Sequence, residues 1–432
     1  MRKHLQMSSG LQAVVKNAGW MMAEQIVRML TAVLVGVWVA RHLGPAEFGL
    51  LSYAQSFAAL FAVVAALGLT RMVIREIVEH REQVKQQSEI VITVFVFRMI
   101  AAIILYAAAI SSSVLFHGQQ RSLLVALVGI SILVSPFDCV DLYFQSQSRS
   151  RIAVLARSAA FFVSTAVKIF LLITGAQLKA FAFAIGLEYA LNAVALYWAY
   201  NRHGLPWRVA PDWRKGGRLL KQSWPDIISA FSVLFFMRSG QLMLESMRGE
   251  SDVGVYSAAA RLSEAWYFIP VSLVASSFPT IVESRSDSKL YYSQISRLLV
   301  VLVFLSYVAG ASATILSGYV VSWLYGVAYA ESAPVLSIHI WCGLLVGFAQ
   351  VSGAWLIAER KIVLNLQRNI CGLVANVALN LFLIPRFGAL GAAWATLLAM
   401  VSAYYLFDLI NPASRQMFFI KTRALVFMRS RG

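Results

Sequence analysis

Six basic residues, Lys16, Arg28, Arg98, Lys168, Arg238 and Arg261, interrupt stretches of this chain that are otherwise apolar, and so do the acids Glu24, Asp138, Asp141, Glu188, Asp226, Glu245, Glu264 and Asp408. Lys16, Asp226, Glu245 and Asp408 fall near the ends of their stretches, where they can reach water. Arg28 and Arg238 fall nearest the middle of theirs. A central arginine in a bilayer costs about 2.5–3.5 kcal/mol on insertion scales, so each needs a partner or a wet cavity. Helical spacing groups them. Asn17, Glu24 and Arg28 are 7 and 4 apart, Arg238, Gln241 and Glu245 are 3 and 4 apart, and Arg261 and Glu264 are 3 apart, each set on one helix face. Two readings stand side by side. In one, Arg28, Arg238 and Arg261, with Arg98 and Lys168, line a polar cavity and bind an anionic substrate, because a guanidinium matches phosphate or carboxylate oxygens in a fork. In the other, Glu24 with Arg28 and Arg261 with Glu264 are intrahelical ion pairs that make the helices tolerable. Glu24, Glu188 and Glu264 are the acids placed to pair with such cations, and Glu24 and Glu188 could instead hold a coupling proton or cation. Trp20, Trp266 and Tyr256 could stack on a ring-shaped ligand, although core packing or interfacial anchoring is the commoner use of such aromatics.

Catalytic chemistry has little support. There is no G-x-x-x-x-G-K-[ST], no G-x-G-x-x-G and no H-E-x-x-H, and the six histidines are scattered. Cys139, Cys342 and Cys371 sit inside apolar stretches without C-x-x-C spacing, so neither a disulfide framework nor a metal site is expected. No catalytic residue, metal or cofactor is assigned.

The elements that must position these charges follow from composition. Of 432 residues, 59% are hydrophobic and 13% charged, against about 45–50% and 25% in soluble domains. The apolar residues come in blocks near the roughly 20 that cross a bilayer as a helix. Twelve are expected: 12–40, 46–70, 89–115, 122–146, 152–174, 178–200, 222–247, 252–281, 298–322, 333–357, 362–384 and 388–410. The fold class is an all-α polytopic membrane protein. MRKHLQMSSG leads into a block too long for a signal-peptide core and reads as an uncleaved first helix.

The net charge of +17 is a topology signal rather than a nucleic-acid footprint. With the N-terminus in the cytoplasm, 26 of the 37 lysines and arginines fall in cytoplasmic segments, and five, Arg41, Arg121, Lys179, Arg248 and Arg386, fall on the other side. Both termini are then cytoplasmic, and anionic membrane lipids are natural contacts. The longest loop divides the chain into a six-helix lobe at 1–200, a cytoplasmic linker at 201–221, a second six-helix lobe at 222–410 and a basic cytoplasmic tail at 411–432. No loop is long enough for a soluble catalytic domain.

The two halves echo one another. Gly44, Gly49 and Ser52 return with the same spacing as Gly249, Gly254 and Ser257, each time in the outer turn of the first hairpin. Gly175 with Ala180-Phe181-Ala182 returns as Gly388 with Ala393-Trp394-Ala395. Two echoes at offsets near 205 and 213, over a six-plus-six charge pattern, point to duplication, a plan that in transporters puts sites near mid-membrane.

The chain resembles the Wzx-type polysaccharide (O-antigen) repeat-unit flippases of the MOP exporter superfamily. The resemblance is carried by Leu43-Gly44-Pro45 with Phe48-Gly49, Phe144-Gln145, Leu324-Tyr325-Gly326 with Tyr329, and Ser332-Ala333-Pro334-Val335-Leu336. It continues in Asn380-Leu381 with Ile384-Pro385, Gly388, Gly391-Ala392-Ala393 and Ala395-Thr396. It departs at Asp141-Leu142-Tyr143-Phe144-Gln145-Ser146, where relatives often carry Gln-Gly after an aromatic stretch. The resemblance implies a MATE-like pair of lobes around a central cavity lined by the first, second, seventh and eighth helices. It implies flipping of an undecaprenyl-pyrophosphate-linked oligosaccharide across a bacterial inner membrane without ATP hydrolysis. The implied partners are that lipid-linked substrate, membrane lipids, and a polysaccharide polymerase and chain-length regulator, with no nucleic acid. Competing expectations are a drug/cation antiporter, which favours acidic ligands, a peptidoglycan-precursor flippase, which usually has more helices, and a polymerase or membrane glycosyltransferase, which needs a large outer loop.

Overall fold

The computed structural model describes residues 9–80, 83–203, 207 and 209–428, excepting the side chains of 9–23, 116, 117, 119, 120 and 362. Among these residues the regular elements are helices. The first half comprises α1 (Ser9–Ala65), α2 (Thr70–Glu79), α3 (Val84–Val134), α4 (Asp138–Ser146), α5 (Ser150–Ile173) and α6 (Leu178–Arg202). There follow α7 (Trp213–Arg248), α8 (Glu250–Trp266), α9 (Phe268–Glu283), α10 (Ser288–Leu324), α11 (Ser332–His339), α12 (Cys342–Ala358), α13 (Ile362–Val401), α14 (Phe407–Ile410) and α15 (Arg415–Leu425).

Ten described stretches are long and apolar enough to cross a membrane. Two of them, Glu24–Glu79 with 56 residues and Val363–Ile410 with 48, are too long for one crossing. Each breaks at a glycine in the left-handed region, Gly44 (φ 74°) and Gly388 (φ 56°). Divided there, they give the twelve crossings expected. The expected 252–281 block is two helices in line. It breaks at Tyr267, and Pro270 falls in the first turn of α9, where a missing N–H costs little. Helices also run past their apolar blocks: α7 starts at Trp213 rather than 222, and α10 at Ser288 rather than 298. Apolar blocks mark where a helix leaves the hydrocarbon, while polar helix formers carry it on. The basic tail holds α15, which no apolar block announced.

Large apolar side chains such as Ile104, Phe170, Ile173, Ile315 and Val374 are exposed, while buried positions are rich in Ala and Ser, among them Ala258, Ala259, Ala260, Ala392, Ala393 and Ala395. Lipid tails accept the outward residues, and small residues let helix backbones approach.

The chain forms two compact units. The first joins Met1–Val39 to Ala54–Phe231, and the second joins Ala40–Tyr53 to Ser232–Gly432. The first therefore includes the leading part of α7. Ser223 donates to the Leu67 carbonyl at 2.9 Å, Lys215 pairs with Glu76 at 3.5 Å, and Arg71 with Asp226 at 3.8 Å. Its core gathers Val73, Ile90, Val94, Val140, Phe144, Leu196 and Tyr200, with Trp207 packed against them.

The second unit includes the α1 turn at Ala40–Tyr53. Gly44 and Gly249 have matching backbones (φ 74°, ψ 171° and φ 91°, ψ −179°), a region closed to side-chain-bearing residues without strain. Five residues on, the contact is reciprocal. A Cβ on Gly49 would collide with the carbonyl of Glu250, and one on Gly254 with the carbonyl of Pro45. Tyr329 secures the turn by donating to the Ala40 carbonyl at 2.7 Å. Also in this unit, Lys421 of α15 donates to Asp408 at 2.6 Å and to the Tyr404 carbonyl at 2.7 Å, with both side chains closed to solvent. Burial pushes the Lys421 ammonium down to about 8, against the pull of Asp408.

Gly49→Ala and Gly254→Ala should each lower the thermal midpoint of the purified protein, at an overpacking cost of about 1–3 kcal/mol. Gly318→Ala, whose Cβ would meet open space, should leave it unchanged or raised. Lys421→Met strands the Asp408 carboxylate and should cost about 3–5 kcal/mol, while Asp408→Leu with Lys421→Met should recover most of the loss. Thermal melting of the three proteins side by side checks this.

Candidate functional site

In the first unit, α1 and α5 hold the expected cations Arg28 and Lys168. Arg28 Nε lies 3.5 Å from Glu24 Oε1, one turn before it, with Glu24 nearly buried and Arg28 side chain 41% exposed. The local i, i+4 spacing makes this pair, as expected from the sequence. The two open on a cleft of about 290 Å³ whose other wall is α5, through Val154, Ser158, Phe161 and Phe162. Arg157 of α5 donates to Asp141 of α4 at 2.7 Å, and Gln145 donates to the same carboxylate oxygen at 3.1 Å. Further along, Lys168 of α5 pairs with Glu188 of α6, which also accepts from Ser164 at 3.2 Å. Arg98 of α3 is buried, donates to Thr70 at 3.3 Å, and has the Asp138 carboxylate in its electrostatic surroundings.

In the second unit, Arg238 of α7 grips Glu264 of α8 with both ends of its fork. Nη1 to Oε1 and Nη2 to Oε2 are each 3.3 Å. Glu264 thus pairs across helices rather than with Arg261 three residues before it. The Arg261 guanidinium instead lies 5.1 Å over the Phe48 ring, a cation–π contact. Around this pair runs a band of buried polar groups. Gln241 donates to Ser257 at 3.1 Å. The Tyr256 hydroxyl meets His339 Nε2 at 3.2 Å and Thr396 at 3.3 Å, and Ser263 meets His339 Nδ1. Ser239 donates to Asn376, which accepts from Asn380 at 2.8 Å.

These placements sort the expected residues. Arg28 and Glu24 come together, as do Lys168 and Glu188, and Arg238 and Glu264. Tyr256 does not face a sugar: it is 2% exposed and its hydroxyl is committed to His339 and Thr396. Trp266 packs against Gly343, where a Cβ would press on its indole. The side chains of Lys16, Asn17 and Trp20 lie outside the described residues. Sequence reasoning missed His339, 83 residues from Tyr256, and it counted Arg157 and Arg368 among the cytoplasmic basic residues although they fall inside the 152–174 and 362–384 blocks. Arg368 is buried. Polar spacing along α13, Asn365, Arg368, Asn369, Asn376 and Asn380, was the available signal.

Three acids and their cations thus form salt bridges that are partly open to solvent, with side-chain exposures of 28% and 24% for Arg238 and Glu264. Of these, the Arg238–Glu264 pair is held by two hydrogen bonds, a fork that the paired oxygens of a phosphate can also offer a guanidinium.

Comparison with known proteins adds a family and a fold. The model of a family described as polysaccharide biosynthesis protein matches residues 14–285. The probable flippase AglR of Haloferax volcanii is 24% identical over 406 residues, covering 87% of this chain and 78% of the relative. A putative O-antigen transporter of Shigella flexneri is 22% identical, covering 88% and 93%. Among solved structures, the lipid II flippase MurJ superposes with a TM-score of 0.72 at 12% identity, covering 95% of this chain and 91% of that one. A multidrug resistance MATE transporter of the MOP superfamily gives 0.71 at 15% identity, covering 90% and 96%. At these identities the structures share the fold, a MATE- and MurJ-like helical membrane architecture.

Glu264→Gln should strip Arg238 of its paired counter-charge and lower the midpoint of thermal unfolding. The exchange Arg238→Glu with Glu264→Arg should restore the midpoint to within about 1 kcal/mol of wild type, as expected for a partly exposed pair. Melting of the single and exchanged variants in one detergent measures both.

Proposed function

The chain belongs to the polysaccharide biosynthesis protein family, and from that membership we propose that it is a flippase for undecaprenyl-pyrophosphate-linked oligosaccharide repeat units. In this reading it sits in a bacterial inner membrane with both termini cytoplasmic. It moves each unit to the periplasmic face for O-antigen or exopolysaccharide assembly. It is a transporter and not an enzyme. A polysaccharide polymerase and a chain-length regulator act on its product.

The observation that carries the reading is a set of guanidinium groups within helices long and apolar enough to cross a membrane, each with a partly exposed carboxylate pairing or an aromatic face. Arg28 in the first unit, and Arg238 and Arg261 in the second, are the cations assigned to the pyrophosphate or to acidic sugars. Arg98 and Lys168 are assigned to the substrate beside them, but Arg98 is enclosed and the Lys168 ammonium meets an anion only by releasing Glu188. A diphosphate offers several fork-shaped oxygen pairs, so a substrate can take the place of Glu24 or Glu264 at lower cost than bare desolvation. The drug/cation antiporter reading needs free carboxylates. Glu24, Glu188 and Glu264 each already hold a cation, which favours the anionic cargo.

The test is made in a source strain that has no redundant flippase. Deletion should make complete undecaprenyl-pyrophosphate repeat units accumulate on the cytoplasmic face with loss of surface polysaccharide. Arg238→Ala should insert into the membrane normally yet reduce export at least tenfold. Normal export in the deletion strain would overturn the flippase reading, and single repeat units on the periplasmic face would point to the polymerase.

A further inference from the structure

We propose that the second unit carries an anion site of its own, a pocket built around Arg368 that takes the phosphate of a lipid headgroup. The pocket has a volume of about 460 Å³ and lies among α7, α9, α12, α13 and the segment holding Tyr404. Arg368 forms part of its wall and is 2% exposed. Its guanidinium lies 5.0 Å over the Tyr404 ring. Nη2 donates to Asn365 Oδ1 at 2.6 Å and to the Ala349 carbonyl at 3.4 Å. Nε and Nη1 are buried and have no partner.

An arginine keeps its charge at any accessible pH and carries five N–H donors. Buried donors left unmet are costly, and more so on a charged group. No carboxylate offsets this locally. Among the described residues, the carboxylate in the electrostatic surroundings of Arg368 is that of Asp408, and Asp408 is committed to Lys421 at 2.6 Å. Arg368, Asp408 and Lys421 together leave one positive charge uncompensated. An anion with paired oxygens would answer both the charge and the unmet donors.

The walls say which kind of anion. Val271, Val274, Ala275, Phe278 and Ile357 are apolar, and Val271 and Ile357 are exposed. Polar groups, Gln350, Asn365 and Asn369, collect beside the arginine. Free phosphate prefers polar partners all round, whereas a lipid brings an anionic head for Arg368 and chains for the apolar walls. The pocket lies where the ends of α9 and α12 meet the start of α13, next to the basic Arg360-Lys361 turn, so headgroup depth is within reach. The lipid could be an anionic phospholipid of the bilayer or a lipid-linked pyrophosphate. The site stands on its own geometry, whether or not the flippase reading holds.

The test uses the full-length protein purified in a mild detergent. Native mass spectrometry would count retained lipid after titration with phosphatidylglycerol, phosphatidylcholine, undecaprenyl pyrophosphate or inorganic phosphate. Two variants accompany the wild type. Arg368→Gln removes the charge, and Ala275→Trp fills the pocket from an exposed position without touching the arginine. Thermal midpoints report folding, and Ala275→Trp decides the matter if Arg368→Gln fails to fold. The expected result is one equivalent of phosphatidylglycerol or undecaprenyl pyrophosphate held at least tenfold more tightly than phosphatidylcholine, with that preference lost in both variants. Preference for the pyrophosphate identifies the lipid carrier as the source, and preference for phosphatidylglycerol identifies the bilayer. Equal binding of phosphatidylcholine, unchanged binding in a folded Ala275→Trp, or occupancy by inorganic phosphate alone would overturn the proposal.

Discussion

An ionised side chain at the centre of a bilayer costs several kilocalories per mole unless it brings a counter-charge or water with it, and the interior of both units is organised around that demand. Arg28 has Glu24, Arg157 has Asp141, Lys168 has Glu188, Arg238 has Glu264, and Lys421 has Asp408. The same demand acts on the backbone, whose polar groups must be satisfied internally. It is met by helices, which are the regular elements among the described residues. Small residues then do the packing, because lipid gives helices no hydrophobic reason to associate and close backbone approach is what remains.

At the turns the expected echo of the two halves can be compared in backbone conformation. The glycine pairs Gly44 with Gly249 and Gly175 with Gly388 were legible in the sequence because their neighbours repeat as well. A third pair was not: Gly118 lies between His117 and Gln119, Gly326 between Tyr325 and Val327, and nothing around them matches. Their backbones do match, at φ 76°, ψ 174° and φ 86°, ψ 179°. The conformation repeats where the side chains do not. The reciprocal seating of Gly49 on Glu250 and Gly254 on Pro45 explains why that one echo survived in letters: a side chain at either position meets backbone, which cannot yield.

How much of the site could be read ahead follows a similar rule. Contacts made within one helix were legible, as Glu24 with Arg28 shows, because the chain itself sets the spacing. Contacts between helices were not. Glu264 had Arg261 at three residues, yet Arg238, 26 residues away, makes the fork, and Arg261 turns to the Phe48 ring. Arg368 and Arg157 were hidden by a different effect. Each lies near a run of basic residues that marks a cytoplasmic loop, and charge counting cannot distinguish a residue in the loop from one a helical turn inside the core.

Exposure separates the pairs by what they can do. Asp408 and Lys421 are sealed, at 2% and 0% side-chain exposure, so opening that bridge would desolvate nothing new and leave two bare charges. It behaves as a fixed clasp on α15. Arg238 and Glu264 keep about a quarter of their surface in contact with solvent, so either charge can be taken over by water while its partner is exchanged. A carrier that binds an anion and then releases it needs the second kind. Its cations must be paired well enough to be tolerated when empty, and loosely enough that a phosphate can displace the carboxylate and later be displaced by it. The carboxylate is therefore as much a part of such a site as the guanidinium, because it supplies the competing ligand that lets the cargo leave.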